Sequence, residues 1–260
     1  MKTPLALIAL ATASFFSCGA SAATVLVTGS NRGLGFEFAR QYAEQGWTVI
    51  ATARNPESAK ELQALAAKHK SITIEKLDLF DHAGIKALAA KYKGRPIDII
   101  VNNAGVLGDL PGQTLGSFDY ANFQQVMGVN VYGPLAISEA FRENVSKSEH
   151  KKIVAITSGS GIISRGGGGG KTHFYRASKV ALNMVMRGLA NDLKGQGVIV
   201  GIIAPGSADT DMRRELVGAD RAAKDQRPEQ SVASMMKVIA GLTQANSDKP
   251  LNYDGSALPW

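Results

Sequence analysis

From Thr24 onward, short apolar runs alternate with longer stretches in which apolar residues recur every three or four positions. Runs of the first kind suit buried strands, and the second spacing suits one face of a helix. Strands are therefore predicted at 24–28, 48–53, 72–77, 97–102, 152–157 and 198–203. Helices are predicted between them, from Leu34 to Gln45, Pro56 to His69, Asp81 to Lys91, Phe118 to Asn144 and Tyr175 to Leu193. Gly46 is placed to stop the first helix before the second strand. Strands alternating with helices imply a parallel sheet covered on both faces, and the unbroken apolar character of the strands fits that burial. The expected fold class is α/β, a single doubly wound parallel sheet. No linker, repeat or shift in composition marks a second domain.

The chain has 260 residues, 45% apolar and 20% charged, which is the balance of a globular domain with a large core. Its net charge of +7 comes from scattered Lys and Arg, with no basic run interleaved with aromatics. A nucleic-acid face is therefore not expected. The single cysteine, Cys18, excludes a disulfide framework, and His69, His82, His150 and His173 lack the spacing of a metal site. Met1-Lys2, the apolar stretch from Pro4 to Cys18 and Ala20-Ser21-Ala22 have the pattern of a secretory signal peptide over residues 1–22. That stretch is too short for a stable membrane span. A periplasmic or secreted location follows if the leader is cleaved, and a cytoplasmic one if it is not. Mass spectrometry of the native N-terminus decides between them: a start at Ala23 means export, an intact Met1 does not. One low-complexity piece, residues 164–171 with the five glycines Gly166 to Gly170, is expected to be a mobile loop near the site, either a lid or an inert expansion.

Thr28-Gly29-Ser30-Asn31-Arg32-Gly33-Leu34-Gly35 lies between the first strand and first helix. Glycines there allow a tight turn and close backbone approach to a pyrophosphate at a helix N-terminus. The spacing, G-x-x-x-G-x-G, is weak on its own, and its strand-turn-helix context strengthens it. At the end of the second strand an acidic residue would select NAD by binding the ribose hydroxyls. Here the sequence reads Thr52-Ala53-Arg54-Asn55. Arg54, with Arg32 from the glycine turn, suits a 2′-phosphate instead, so NADP(H) is expected over NAD(H). The competing account is two solvated surface arginines. Asp78 is placed to accept from an adenine amino group. After the fourth strand, Asn102-Asn103-Ala104-Gly105 offers small residues beneath a cofactor and amides that can tie strands together, although a structural turn also fits. Tyr175 and Lys179 are four apart, on one helix face. A neighbouring ammonium lowers a phenol's pKa towards working range. Taken alone, such a pair is ordinary surface decoration.

Together the glycine turn, Asn102-Asn103-Ala104-Gly105, Ser158, Tyr175-x-x-x-Lys179 and Pro205-Gly206 resemble, in order, the short-chain dehydrogenases/reductases. The resemblance spans residues 24–260. Val129-Asn130-Val131-Tyr132-Gly133-Pro134, Thr210-Asp211-Met212 and the ending from Asn252 to Trp260 are most similar to the C-factor-like and sniffer-type carbonyl reductases. The resemblance implies a Rossmann-type fold over residues 23–260 and interconversion of a carbonyl and a secondary alcohol. It implies that Tyr175 is the general acid/base, Lys179 tunes it and holds the nicotinamide ribose, and Ser158 positions the substrate oxygen, with Ser160 close enough to compete. Asn130 matches the position that supports a proton-relay water. Asp78 and Leu79 match the adenine pocket, Asn103, Ala104 and Gly105 line the cofactor, and Thr210 contacts the nicotinamide carboxamide or phosphates. Ser158 and Tyr175 are 17 residues apart, wider than in the shortest family members, with the glycine run between them. Residues 106–117 and 207–230 are expected to shape a pocket for a small-molecule substrate. Homodimers or homotetramers through 118–144 and 175–193 are the assemblies the family implies. The second reading is a nucleotide-binding signalling or interaction protein with little turnover.

Overall fold

A computed structural model describes residues 22–165 and 170–260. The leader before Ala22, and residues 166–169 of the glycine run, lie outside the described residues. The β-branched runs form seven strands: β1 (Thr24–Val27), β2 (Thr48–Ala53), β3 (Ile72–Lys76), β4 (Ile99–Asn102), β5 (Lys152–Ile156), β6 (Ile199–Ala204) and β7 (Pro250–Asn252). They make one sheet in the order β3-β2-β1-β4-β5-β6-β7, and every pair is parallel. Side chains alternate along each strand, so the sheet feeds two cores. Val25 and Val27 pack with Phe38, Leu62, Val232, Met235 and Ile239 on one face, and Leu26 packs with Ile85, Ile137, Phe141, Leu182 and Met186 on the other.

The first face is covered by α1 (Gly33–Glu44), α2 (Lys60–Lys68) and α10 (Pro228–Ala240), and the second by α3 (His82–Lys91), α5 (Gly133–Ala140) and α7 (His173–Leu193). This is the single doubly wound α/β sheet expected from the sequence. Chain order reverses between β1 and β4, and in such sheets ligands sit outside the carboxyl ends of the strands at that reversal. None of the described helices is long and apolar enough to cross a membrane.

Three predicted helices differ from those observed. The stretch from Phe118 to Asn144 is not one helix. It divides into α4 (Tyr120–Met127), a π turn (Gly128–Tyr132), α5 and α6 (Arg142–Ser146). Pro134 has no N–H to give the carbonyl four residues earlier, that of Asn130, so a regular α-helix cannot run through unchanged. The helix predicted from Pro56 begins as a 3₁₀ turn over Pro56–Ser58, with α2 following at Lys60. α7 starts at His173, which puts Tyr175 inside the first turn rather than at its opening. Beyond β6 the structure adds α8 (Asp211–Val217), α9 (Ala219–Ala222), α10 and β7, none of which was predicted.

Candidate active site

A cleft of about 840 Å³ opens at the carboxyl ends of β1, β2 and β4 and runs to the start of α7. Its floor is the glycine turn, whose backbone is bare for steric reasons. Gly29 has φ of +69°, and a Cβ there would stand 2.9 Å from that of Ala104. A Cβ on Gly35 would overlap the Gly29 carbonyl. The turn is tied down by Thr28, whose Oγ1 accepts from the N–H groups of Asn103 and Ala104 at 3.0 and 3.1 Å. Asn103 returns the tie, donating from Nδ2 to the carbonyls of Thr28 and Gly29 at 3.0 and 3.3 Å. Asn103 thus joins the ends of β4 and β1, as its amide suggested. Asn102 reaches α5 instead, donating to Ser138 Oγ at 3.3 Å.

Of the predicted cofactor residues, Gly29, Asn31, Arg32, Gly33, Leu34, Arg54, Asp78, Leu79, Asn103, Ala104, Gly105, Tyr175, Lys179, Pro205 and Thr210 line this cleft. Ser30, Gly35 and Gly206 support it from behind. Ser30 is fully buried and bonds the strands on either side, its N–H to the Thr52 carbonyl and its hydroxyl to that of Val27. Gly206, with φ of +70°, leaves room for the Tyr253 ring, which a Cβ would meet at 2.7 Å. Thr210 caps α8, its Oγ1 accepting from Arg213 N–H at 3.2 Å. Asp78 spends one carboxylate oxygen on the Phe80 N–H at 2.9 Å.

The two arginines expected to act together both line the cleft and differ in their pairing. Arg32 Nη1 lies 3.1 Å from Asp211 Oδ2, an exposed ion pair joining the glycine turn to α8. Arg54 has no ion-pair partner among the described residues. Lys60, the first residue of α2, lines the cleft beside Asn55 and Ser58 and was missed from the sequence. The signal existed: Pro56 opens a helical turn two residues after Arg54, which brings Lys60 close behind it in the chain. A floor that carries glycine at 29 and 33, with Arg54 and Lys60 lacking ion-pair partners among the described residues, fits a phosphorylated dinucleotide.

At the other end α7 presents Tyr175 and Lys179, both buried. Lys179 Nζ lies 5.7 Å from the Tyr175 ring centroid and donates to the Ile156 carbonyl at 2.9 Å. Burial lowers the pKa of Lys179 to about 8. The hydroxyls of Tyr175 and Ser158 hydrogen-bond one another. The simple expectation that the ammonium brings the phenol's pKa down needs correction. Burial pushes Tyr175 upward, and the hydrogen bond with Ser158 opposes that rise. The reason is geometric, since the ammonium lies against the ring and is turned to a backbone carbonyl.

Asn130 sits in the π turn, buried behind the cleft. Its amide clamps Val106, accepting from the N–H at 2.8 Å and donating to the carbonyl at 2.9 Å. It also donates to Ser178 Oγ at 2.9 Å, which reaches α7 one residue before Lys179. Within 106–117, only Val106 lines the cleft, while Asp209 to Met212, Arg214 and Pro228 represent the later stretch. The rest of the earlier loop does not line it, and Leu107 and Gln113 are buried.

The family model for short chain dehydrogenase matches residues 23–221. C-signal of Myxococcus xanthus is 33% identical over 176 residues, 68% of this chain and all of that protein. The NADPH-bound carbonyl reductase from chicken fatty liver is 31% identical, superimposes with a TM-score of 0.82, and the match covers 92% of this chain and 99% of that one. The carbonyl reductase Sniffer of D. melanogaster is 26% identical with a TM-score of 0.82, over 92% of this chain and 100% of that one. An all-parallel seven-stranded sheet, a glycine turn at its reversal point and Tyr-x-x-x-Lys on the helix after β5 thus belong to a known lineage. The chain is a member of the short-chain dehydrogenase/reductase family of oxidoreductases.

Proposed function

We propose that the protein is an NADP(H)-dependent carbonyl reductase, or alcohol dehydrogenase in the reverse direction, acting on a small molecule. One observation carries the reading: Tyr175, hydrogen-bonded to Ser158, and Lys179 line one end of a cleft that also takes in the glycine turn and Arg54. The NADPH- and NADP-bound carbonyl reductases among the structural neighbours support the choice of cofactor.

The bound nicotinamide would supply the hydride. Gly29, Gly33 and Gly35 would let the backbone approach the phosphates, and Arg54 with Lys60 would hold the 2′-phosphate. Asn103 to Gly105 and Thr210 would line the nicotinamide half, with Asp78 and Leu79 at the adenine. The Ser158 hydroxyl would position the substrate oxygen beside the Tyr175 phenol. Because burial raises Tyr175, the phenol is protonated at neutral pH and ready to donate to the oxygen as negative charge develops on it. A secondary alkoxide is a far stronger base than a phenolate, so that transfer runs downhill. The positive charge of Lys179, 5.7 Å from the ring centroid, would stabilise the phenolate through space as it forms. Asn130 holds Val106 and Ser178 in register around these groups.

Purified protein should oxidise NADPH in the presence of some member of an aldehyde and ketone panel. Tyr175→Phe should lower kcat on the order of 10²–10⁴-fold while still binding NADPH. Equal turnover by the variant would refute the mechanism. The similarity to C-signal supports a second reading, a nucleotide-binding signalling protein. It is favoured if NADPH binds tightly and no carbonyl is turned over.

A further inference from the structure

We infer that Gln113 is a positioning residue for Tyr175, its buried amide capping the first turn of α7 and locking the loop after β4 against it. The inference rests on the reading of Tyr175 as the acid–base group.

The first N–H groups of a helix have no acceptor within it. Thr172, at the N-cap of α7, makes no side-chain cap hydrogen bond. Gln113 supplies one from 61 residues away. Its Oε1 accepts from the N–H of Phe174 at 2.9 Å and from that of Tyr175 at 3.0 Å. Its Nε2 donates to the carbonyls of Leu107 and Asp109 at 2.7 and 3.2 Å. The side chain is 0% exposed, and every hydrogen-bonding position of the amide is used. A buried polar group satisfied in this way is held in one geometry, and losing a partner inside the protein is costly.

The loop it holds is otherwise irregular, and amides fix it at two more points. Asn130 clamps Val106, as described above. Asn122, on α4, repeats the pattern at Asp109, accepting from its N–H at 3.0 Å and donating to its carbonyl at 2.8 Å. The two systems converge on Tyr175. Gln113 binds its N–H, while its carbonyl accepts from Ser178 Oγ at 2.7 Å, the same hydroxyl that receives Asn130. Both backbone groups of the residue carrying the phenol are therefore tied, directly or through one hydroxyl, to the loop's amides. Removing Gln113 frees one side and lets the phenol drift relative to Ser158.

Gln113→Leu deletes all four bonds at similar volume. Gln113→Glu keeps the two acceptor bonds to α7, where an anion suits the helix N-terminus, but cannot donate to Leu107 and Asp109. The test compares them with wild type and Tyr175→Phe for NADPH-dependent turnover, NADPH affinity by fluorescence, and amide hydrogen exchange over 172–178 in cofactor-free protein. The leucine variant should lose kcat on the order of 10- to 100-fold, with NADPH affinity within about twofold of wild type. Exchange at Phe174 and Tyr175 should quicken. The glutamate variant should recover most of kcat and of the protection. A folded leucine variant with wild-type kcat, or one losing kcat and NADPH affinity in parallel, overturns the inference, as does failure of glutamate to rescue. If the leucine variant does not unfold cooperatively, Gln113→Asn replaces it. That change withdraws the same amide by one methylene, and wild-type kcat there overturns the inference equally. Where Tyr175→Phe is itself as active as wild type, the acid–base reading falls; where only the Gln113 variants stay active, that reading stands and the positioning role falls.

Discussion

Lys179 is a buried ammonium with no carboxylate at ion-pair distance among the described residues, compensated by one backbone carbonyl and the face of a tyrosine ring. Such a group is kept at the expense of stability when its use lies in the site. Its pKa is about 8 in the fold against 10.5 for the free side chain, so between those values the unfolded chain binds more protons than the native one. Stability should therefore gain from rising pH across that window, and the full penalty should be present below it. Lys179→Met is expected to melt higher than wild type at pH 7 in cofactor-free protein. That advantage should shrink as pH rises from about 8 towards 10.5, while turnover is lost throughout. Calorimetry at a series of pH values checks this, and a constant difference would show that the native charge is not penalised.

At the scale of elements, the sheet's own side chains decide how outlying helices attach. Lys152 opens β5, is buried, and donates from Nζ to the carbonyls of Ile239 and Ala240, both at 2.8 Å. These belong to the last turn of α10, where carbonyls lack intrahelical donors and a cation is favoured. Lys152→Met should lower unfolding free energy by about 1.5–3 kcal/mol, the usual worth of hydrogen bonds to a charged group. Urea unfolding reads the loss, and kcat should stay unchanged because Lys152 begins β5 while the cleft lies at its far end, at Ile156. An effect under half a kilocalorie per mole, taken as about the noise of a surface change, would make the contact incidental. Elements were legible in the sequence to different degrees. Long apolar strands and α7 were clear, because one period runs through each. β7, three residues beginning with Pro250, carries too little pattern to read. α10 was readable in principle: Pro228 opens it, and Val232, Met235, Met236 and Ile239 recur at helical spacing. The split of 118–144 depended on weighing Pro134 above periodicity.

Across the whole molecule, the cleft draws on β1, β2, β4 and α7, so a ligand filling it ties together segments from both halves of the sheet. Binding only to the native state raises stability by mass action. NADPH at 100 times its dissociation constant should add about 2.7 kcal/mol, or roughly 5–11 °C in Tm for a chain this size. NADH at the same concentration should add less, because Arg54 and Lys60 lack their phosphate. Arg54→Ala should narrow that gap by weakening the NADPH effect alone. If the variant keeps the full difference between the two nucleotides, the preference resides elsewhere, with Arg32 the next residue to test.

By itself the sequence determined the alternation of strand and helix, the bare turn after β1, the basic residue after β2 and the placing of Tyr175 and Lys179 on one face. All of these follow from local spacing, which a chain displays before it folds. The tertiary structure decided which neighbours those groups have. Arg32 meets Asp211 from 179 residues away, and Gln113 caps a helix 61 residues on. The pKa values of Tyr175 and Lys179 move because the surrounding sheet and helices exclude water from them. Burial and long-range pairing are properties of packing, and no window of residues along the chain contains them.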